Sequence, residues 1–182
     1  MSYGHALSVA QELERALAPY CERTLIAGSL RRQKPEIGDI ELVVIPKLEV
    51  ELDMFGQPSG SHSLLDDGLA LLRTEGYTKN GAKFKQFVYE GAPVDLFITS
   101  PETWACVATI RTGSADFTHW LVTARRSGGG CPSHLSFKDG RLMNGSRPVV
   151  TPDERDLFEA LGQPWIEPID RKEGRWAAKI WN

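Results

Sequence analysis

Asp39 and Glu41 are the residues best placed to do chemistry in this sequence, because they flank one apolar residue in "GDIELVVIP". Residues two apart on a strand point to the same side, so these carboxylates project together while Ile40 and Leu42 face away. Acids are depleted from strands and are rarely buried without a partner. Two anions fixed side by side repel unless a cation lies between them, and hard oxygen donors on a rigid strand suit Mg²⁺. A third acid, Asp95 in "APVDLFIT", lies on a strand of similar character that can pair alongside. Three carboxylates from two neighbouring strands can hold two divalent ions. Such a pair stabilises both the attacking and the leaving oxygen of a phosphoryl or nucleotidyl transfer.

The bland explanation of an acid–any–acid triplet is a solvated strand face. Two features weigh against it. The flanking residues are strongly apolar, which marks a central strand. The preceding loop, "GSLRR", is also built for anions. Gly28 permits close backbone approach, Ser29 supplies a hydroxyl, and Arg31 and Arg32 supply guanidinium groups that grip phosphate through paired hydrogen bonds.

The elements that must position these groups follow from periodicity and punctuation. Apolar residues at helical spacing predict a helix from about His5 to Tyr20. "RTLIAGS" reads as a strand entering a turn, and "GDIELVVIP" as a second strand closed by Pro46. "EVELDMFGQPSGS" reads as an irregular connection, and "SLLDDGLALLRTEG" as a helix ended by Gly76. "KFKQFVY" and "PVDLFIT" are strands joined by the turn "EGA". A helix is expected near Pro101, with Glu102 in its first turn, and another over "ADFTHWLVTARR", stopped by "GGG". "HLSFKDGRLM" is a hairpin turning at Asp139-Gly140. In "TPDERDLFEALG", Thr151 is the expected N-cap, Glu154 its reciprocal partner and Gly162 the stop. A lobe boundary is placed near Gly128–Gly130, giving units 1–127 and 128–182.

Bulk composition narrows the function. The chain has 182 residues and 41% hydrophobic content, enough for one compact domain or two small lobes. No apolar run approaches the ~20 residues that span a bilayer, and the N-terminus does not read as a signal peptide. Cys21, Cys106 and Cys131 are odd in number and widely spaced, which matches no disulfide framework or zinc site and favours a cytoplasmic, reducing setting. Twenty-four acids against 21 bases leave a net charge of −3. A polyanion partner must therefore be held by a local basic patch or by metal ions.

Taken in order, the motifs resemble those of the family X, polymerase beta-like nucleotidyltransferases. "GSLRR" is followed, six residues later, by the acid–any–acid triplet; "VDLFIT", "RTGS" (Arg111 to Ser114) and "DERDLFEALGQPWIEPIDR" then follow with compatible spacing. The resemblance covers about residues 22–171, and short viral members match best in length. It implies an α+β fold: a nucleotidyltransferase palm with a mixed sheet and helices on one face, then a small α+β, thumb-like nucleotide-binding lobe. With only 27 residues before Gly28, no N-terminal lyase domain is expected.

The resemblance also implies roles. Asp39, Glu41 and Asp95 would be catalytic metal ligands for two Mg²⁺ ions, with Mn²⁺ as an alternative, and Asp95 would assist loss of the primer 3′-hydroxyl proton. Gly28, Ser29, Arg32 and Gly38 would serve the triphosphate. Thr112, Gly113 and Ser114 would form the sugar-side turn, with a cis peptide at Gly113–Ser114, and Phe117 and Thr118 would face the nucleotide. Lys83 would lie near the primer. Arg111, which with Ile110 replaces the family's aromatic pair, would contact DNA. Glu41 stands where most family polymerases have Asp.

The implied activity is a minimal, distributive DNA polymerase that fills gaps in DNA repair. Its partners would be primer–template or gapped duplex and nucleoside triphosphates, with the protein a monomer. Transfer to another acceptor (a tRNA end or a protein hydroxyl) and a non-catalytic nucleic-acid-binding role stay open. Elsewhere the ordinary readings prevail. His62 and His134 lack ligand-spaced partners, His119 is a surface or packing residue, Cys106 is a core thiol, and Trp104, Trp120 and Trp165 are core. The tail bearing Trp176 and Trp181 alternates basic and aromatic residues, which suits strand binding or docking on the second lobe; docking or a frayed end is the ordinary reading.

Overall fold

Helix α1 (Tyr3–Leu17) buries Ala6, Val9, Ala10, Leu13 and Leu17, the stripe that its spacing predicts. It stops short of Tyr20 because Pro19, which has no N–H to donate, falls in a short 3₁₀ turn, Ala18–Tyr20. The computed structural model describes residues 1–72 and 74–176. After α1 come β1 (Cys21–Ile26), the one-turn helix α2 (Gly28–Arg31) and β2 (Ile40–Pro46). The hairpin β3 (Leu48–Leu52) and β4 (Pro58–Ser63) follows, then α3 (Leu64–Leu71), β5 (Thr74–Asn80), β6 (Phe84–Tyr89) and β7 (Ala92–Ile98). The second half holds α4 (Trp104–Thr112), α5 (Ala115–Val122), β8 (Leu135–Lys138), β9 (Arg141–Asn144), β10 (Arg147–Pro148) and α6 (Glu154–Ala160).

The principal sheet is mixed, in the order β1-β2-β7-β6-β5. Only β2 and β7 run parallel, with Glu41 opposite Asp95. β2 is thus an inner strand, as its apolar flanks predict. Its even-numbered residues Ile40, Leu42 and Val44 meet Val94, Leu96 and Phe87 in a core roofed by α1 and α3. On the other face Val43, Ile45 and Phe97 pack under Trp104 and Ala108 of α4. Glu41 and Asp95 lie on this same face and stay partly exposed.

A separate core serves the second half: Phe117, Trp120, Leu121, Leu142, Leu157, Phe158 and Trp176, with Trp165 packed against it. Helix α5 belongs to this core, so residues 115–122 pack with the lobe that the sequence reading begins only at Gly128. Trp176 is 5% exposed and docks there as expected; Trp181 lies outside the described residues. Cys21, Cys106 and Cys131 are buried free thiols.

Several expectations are corrected. "EVELDMFGQPSGS" is mostly an antiparallel hairpin, β3–β4, whose tip is tied by Asp53 Oδ1 accepting from the Phe55 and Gln57 amides. His62 on that hairpin has Glu49 and Glu51 of the hairpin and Asp67 of α3 at 3.5–3.6 Å, acidic partners that linear spacing concealed. Helix α3 ends at Leu71, and residues 74–80 instead pair with β6, with Gly76 (φ 46°) inside an irregular register between Glu75 and Lys79. Pairing to a waiting strand edge overrides the local helix signal. Helix α5 ends at Val122, where the Thr123 hydroxyl donates to His119 O and the chain turns back to bridge Ala124 with Cys131.

The last helix is capped two residues later than predicted. Asp153 is the N-cap and Asp156 the reciprocal partner. Glu154 cannot serve the cap because its carboxylate is drawn inward by two arginines. The Asp139-Gly140 turn matches expectation, with φ of 51° and 77°.

Candidate active site

Asp39, Glu41 and Asp95 share one wall. Glu41 and Asp95 face each other across the parallel β2–β7 pair, and Asp39 sits just before β2. Burial, then the charge of Asp39, pushes the Glu41 carboxyl up to about 7, against the lowering influence of Arg32 and Arg111. Asp39 is raised too, by burial and by Asp95. Mutual repulsion of this kind is what a multivalent cation relieves. The donor set, three hard carboxylates, fits Mg²⁺ or Mn²⁺. Among the described residues, however, no three His, Cys, Asp or Glu side chains are closed into a ready ligand group.

Two of the carboxylates have identifiable partners. The Glu41 carboxylate leans on Gly28: a Cβ built at Gly28 (φ 61°) would land on Glu41 Oε2. Gly28 therefore combines a positive φ with close side-chain approach, as the loop reading predicts. Asp95 is held separately, its Oδ1 accepting a 2.7 Å hydrogen bond from Gln86 Nε2. Ser29 is half-buried and Gly38 exposed, both beside this wall.

The arginine loop meets the "RTGS" turn. Arg31 donates to Thr112 Oγ1 (2.7 Å) and to Glu154 Oε2 (2.6 Å). Arg32 donates to the carbonyls of Thr112 (2.8 Å) and Gly113 (3.0 Å). Beneath them Arg171, fully buried, donates to Glu154 Oε1 at 2.8 Å. Burial works to raise the Glu154 carboxyl, but bonds from Arg31 and Arg171 outweigh it and hold the group below its usual range.

This packing changes the expected roles of several residues. Arg32 is 9% exposed and bonded to backbone; Glu173 stands at 3.4 Å from Arg32 and 3.1 Å from Lys34, the outlet toward solvent. Its Nε has no partner among the described residues. Ser114 is the N-cap of α5, its hydroxyl accepting from Phe117 N and donating to Asp116. Phe117 is fully buried in the second core rather than turned toward a nucleotide. Thr118 donates to Ile110 O, and Thr112 is fully buried. Gly113 is required sterically, since a Cβ there would meet the Phe117 ring and Thr118 Oγ1. No peptide bond among the described residues is cis, Gly113–Ser114 included.

Beyond Asp95 the same sheet face runs into a groove of about 900 Å³ between β7, α4 and the β8–β9 hairpin. Lys83, Arg111, Lys138 and Arg141 line it, with Asp139 as the opposing charge. Arg111 stacks on Phe97 at 3.9 Å, between the carboxylate wall and the groove. Lys83 and Arg111 are expected from the sequence motifs; Lys138 and Arg141 are not. Both flank the predicted Asp139-Gly140 turn, which was their available signal. Gln86 was also missed. The two-residue turn Glu90-Gly91 pairs Tyr89 with Ala92, and counting back along that hairpin puts Gln86 opposite Asp95.

No helix among the described residues is long and apolar enough to cross a membrane. No family model matches the sequence. The structure is similar to that of Leishmania infantum polymerase beta in a ternary P/T complex, with a TM-score of 0.71 and 17% identity over 94% of this chain and 76% of that one. Against the same polymerase in a ternary gap complex the TM-score is 0.73 at 16% identity, over 94% of this chain and 70% of that one. With an inner β2–β7 pair bearing the acids and a second small lobe behind the "RTGS" turn, the chain has the polymerase beta fold.

Proposed function

We propose that this protein is a nucleotidyltransferase that joins the α-phosphorus of a deoxynucleoside triphosphate to a primer 3′-hydroxyl, with pyrophosphate leaving, and so fills short gaps in duplex DNA. The observation that carries this reading is the pairing of Glu41 with Asp95 on one open sheet face, with Asp39 beside them and a basic groove leading away. Two Mg²⁺ ions on Asp39, Glu41 and Asp95 would supply Lewis-acid stabilisation of the attacking and leaving oxygens. The chain's own groups do the rest. Asp95, with Oδ2 free of Gln86, accepts the 3′-hydroxyl proton. Gly28 and Ser29 offer close backbone and a hydroxyl to the triphosphate, and Arg32 meets it once Glu173 is displaced. Lys83, Arg111, Lys138 and Arg141 hold the phosphate backbone, a small set that fits weak, distributive binding.

The test is incubation with a one-nucleotide-gapped duplex, a labelled deoxynucleotide and Mg²⁺. Template-matched addition, lost in Asp95→Asn, is the expected result. A second reading, transfer to a non-DNA acceptor, is favoured by the net charge of −3 and by the few basic groups in the groove. Labelling of tRNA or protein without DNA extension would support it. DNA binding with no transfer to anything would contradict both.

A further inference from the structure

The placement of Asp95 depends on more than its own strand. Gln86 lies directly across the antiparallel β6–β7 pair from Asp95 and donates from Nε2 to Oδ1 at 2.7 Å. The other end of the same amide accepts from Thr78 Oγ1 on β5 at 2.9 Å. An ionised carboxylate can only accept, so the NH₂ end of Gln86 must face Asp95 and the oxygen must face Thr78. The Thr78 hydroxyl is the donor that suits this orientation. Three side chains on three adjacent strands thus form one directed chain, Thr78 to Gln86 to Asp95.

We infer that Gln86 is a positioning residue for Asp95, and that Thr78 sets the direction of the Gln86 amide. The chain fixes Oδ1 and leaves Oδ2 for the cation and the reacting hydroxyl. A neutral amide does this without adding a positive charge that would compete with the cation. The inference rests on the reading of Asp95 as a metal ligand and proton acceptor. Groups that orient a ligand in this way typically contribute about 10- to 100-fold to metal affinity or activity.

The test uses the full chain, with Gln86→Met, which keeps the length and removes the donor, and Thr78→Val, at an exposed position on an edge strand. Two readouts are taken. Titration with Mn²⁺ alone, followed by electron paramagnetic resonance, is expected to show affinity about 10-fold weaker in Gln86→Met and a smaller loss in Thr78→Val. Gap filling is expected to show kcat lower by about 10- to 100-fold in Gln86→Met, with the nucleotide KM within about threefold of the original. Unchanged Mn²⁺ affinity in both variants would overturn the inference. So would a loss confined to KM, or a loss matched by unfolding in Gln86→Met while Thr78→Val behaves as the unaltered protein. An unaltered protein that transfers no nucleotide, yet loses Mn²⁺ affinity on Gln86→Met, would refute the proposed function and leave the positioning role standing.

Discussion

Glu41 and Asp95 stand in register on adjacent parallel strands, side by side on one face of the sheet, yet different partners hold their carboxylates. Glu41 rests on Gly28 and Asp95 is held by Gln86. A cation bound by both must overcome two separate restraints, and the first prediction follows from the Glu41 side. Gly28→Ala places a methyl on the Glu41 carboxylate at a positive φ, a backbone state costing a side chain about 1–3 kcal/mol. Chemical denaturation should show a loss of that order. Activity should fall by at least about tenfold, since displacement of a reacting group by ~1 Å is this costly. Gly4→Ala, where nothing lies within 4 Å of the new methyl and which stands outside the site, should leave activity unchanged.

The second prediction concerns pH. Glu41 titrates near 7 in the folded protein, above the ordinary value of 4.5, through burial and then the charge of Asp39. A raised carboxyl pKa means that the folded state binds more protons than the unfolded one between these values. This contribution therefore favours folding below about 4.5 and is lost as pH rises to about 7. The cation-free protein should lose thermal stability across that window, and Glu41→Gln should flatten the profile. Binding of Mg²⁺ near pH 6 should release protons, detected by calorimetry in buffers of different ionisation enthalpy, and Glu41→Gln should remove most of that release.

Glu154 supplies a third. It is 4% exposed and neutralises Arg31 and Arg171 together. Breaking one side of a buried pair costs about 3–5 kcal/mol, so Glu154→Gln should lower stability by roughly that amount in urea titration. The sign with pH is opposite to that of Glu41. The Glu154 carboxyl is held low by its two arginines, so its contribution is present above about 4.5 and lost as pH falls further.

Salt dependence supplies a fourth. Four cationic side chains line the groove. If each meets one phosphate, the slope of log affinity for duplex DNA against log salt should be about −4 or shallower. Reversing Lys138 and Arg141 to Glu should weaken binding and reduce the slope by about 2. A slope far steeper than this would mean that a larger surface holds the DNA.

The parts of this site set by short-range rules were legible from sequence. Strand alternation places Asp39, Glu41 and Asp95 on one side, and apolar flanks place β2 inside the sheet. The Asp139-Gly140 turn follows from its residue types alone. Other features depend on contacts between distant segments. Asp153 replaces Thr151 as the cap because Glu154 answers to Arg31 and Arg171, more than 15 residues away on either side. Residues 74–76 read as the end of a helix stopped by Gly76 and instead open a strand, because β6 offers an edge. Motif residues such as Arg32, Phe117 and Ser114 carry the right identities, but their accessibility is decided by tertiary packing, against the "RTGS" turn for Arg32 and within the second core for Phe117, which no local pattern encodes. The relation of Gln86 to Asp95 lies between these cases: the hairpin register contains it, provided that the residues are counted outward from Glu90-Gly91.

The most direct measurement is a crystal of the protein grown with Mn²⁺ and a non-hydrolysable deoxynucleoside triphosphate, with anomalous scattering used to locate the metal. The account predicts two Mn²⁺ peaks against Asp39 and Glu41, one of them also on Asp95, and only one in Asp95→Asn. Peaks elsewhere, or a triphosphate bound with no metal on these three carboxylates, would contradict it.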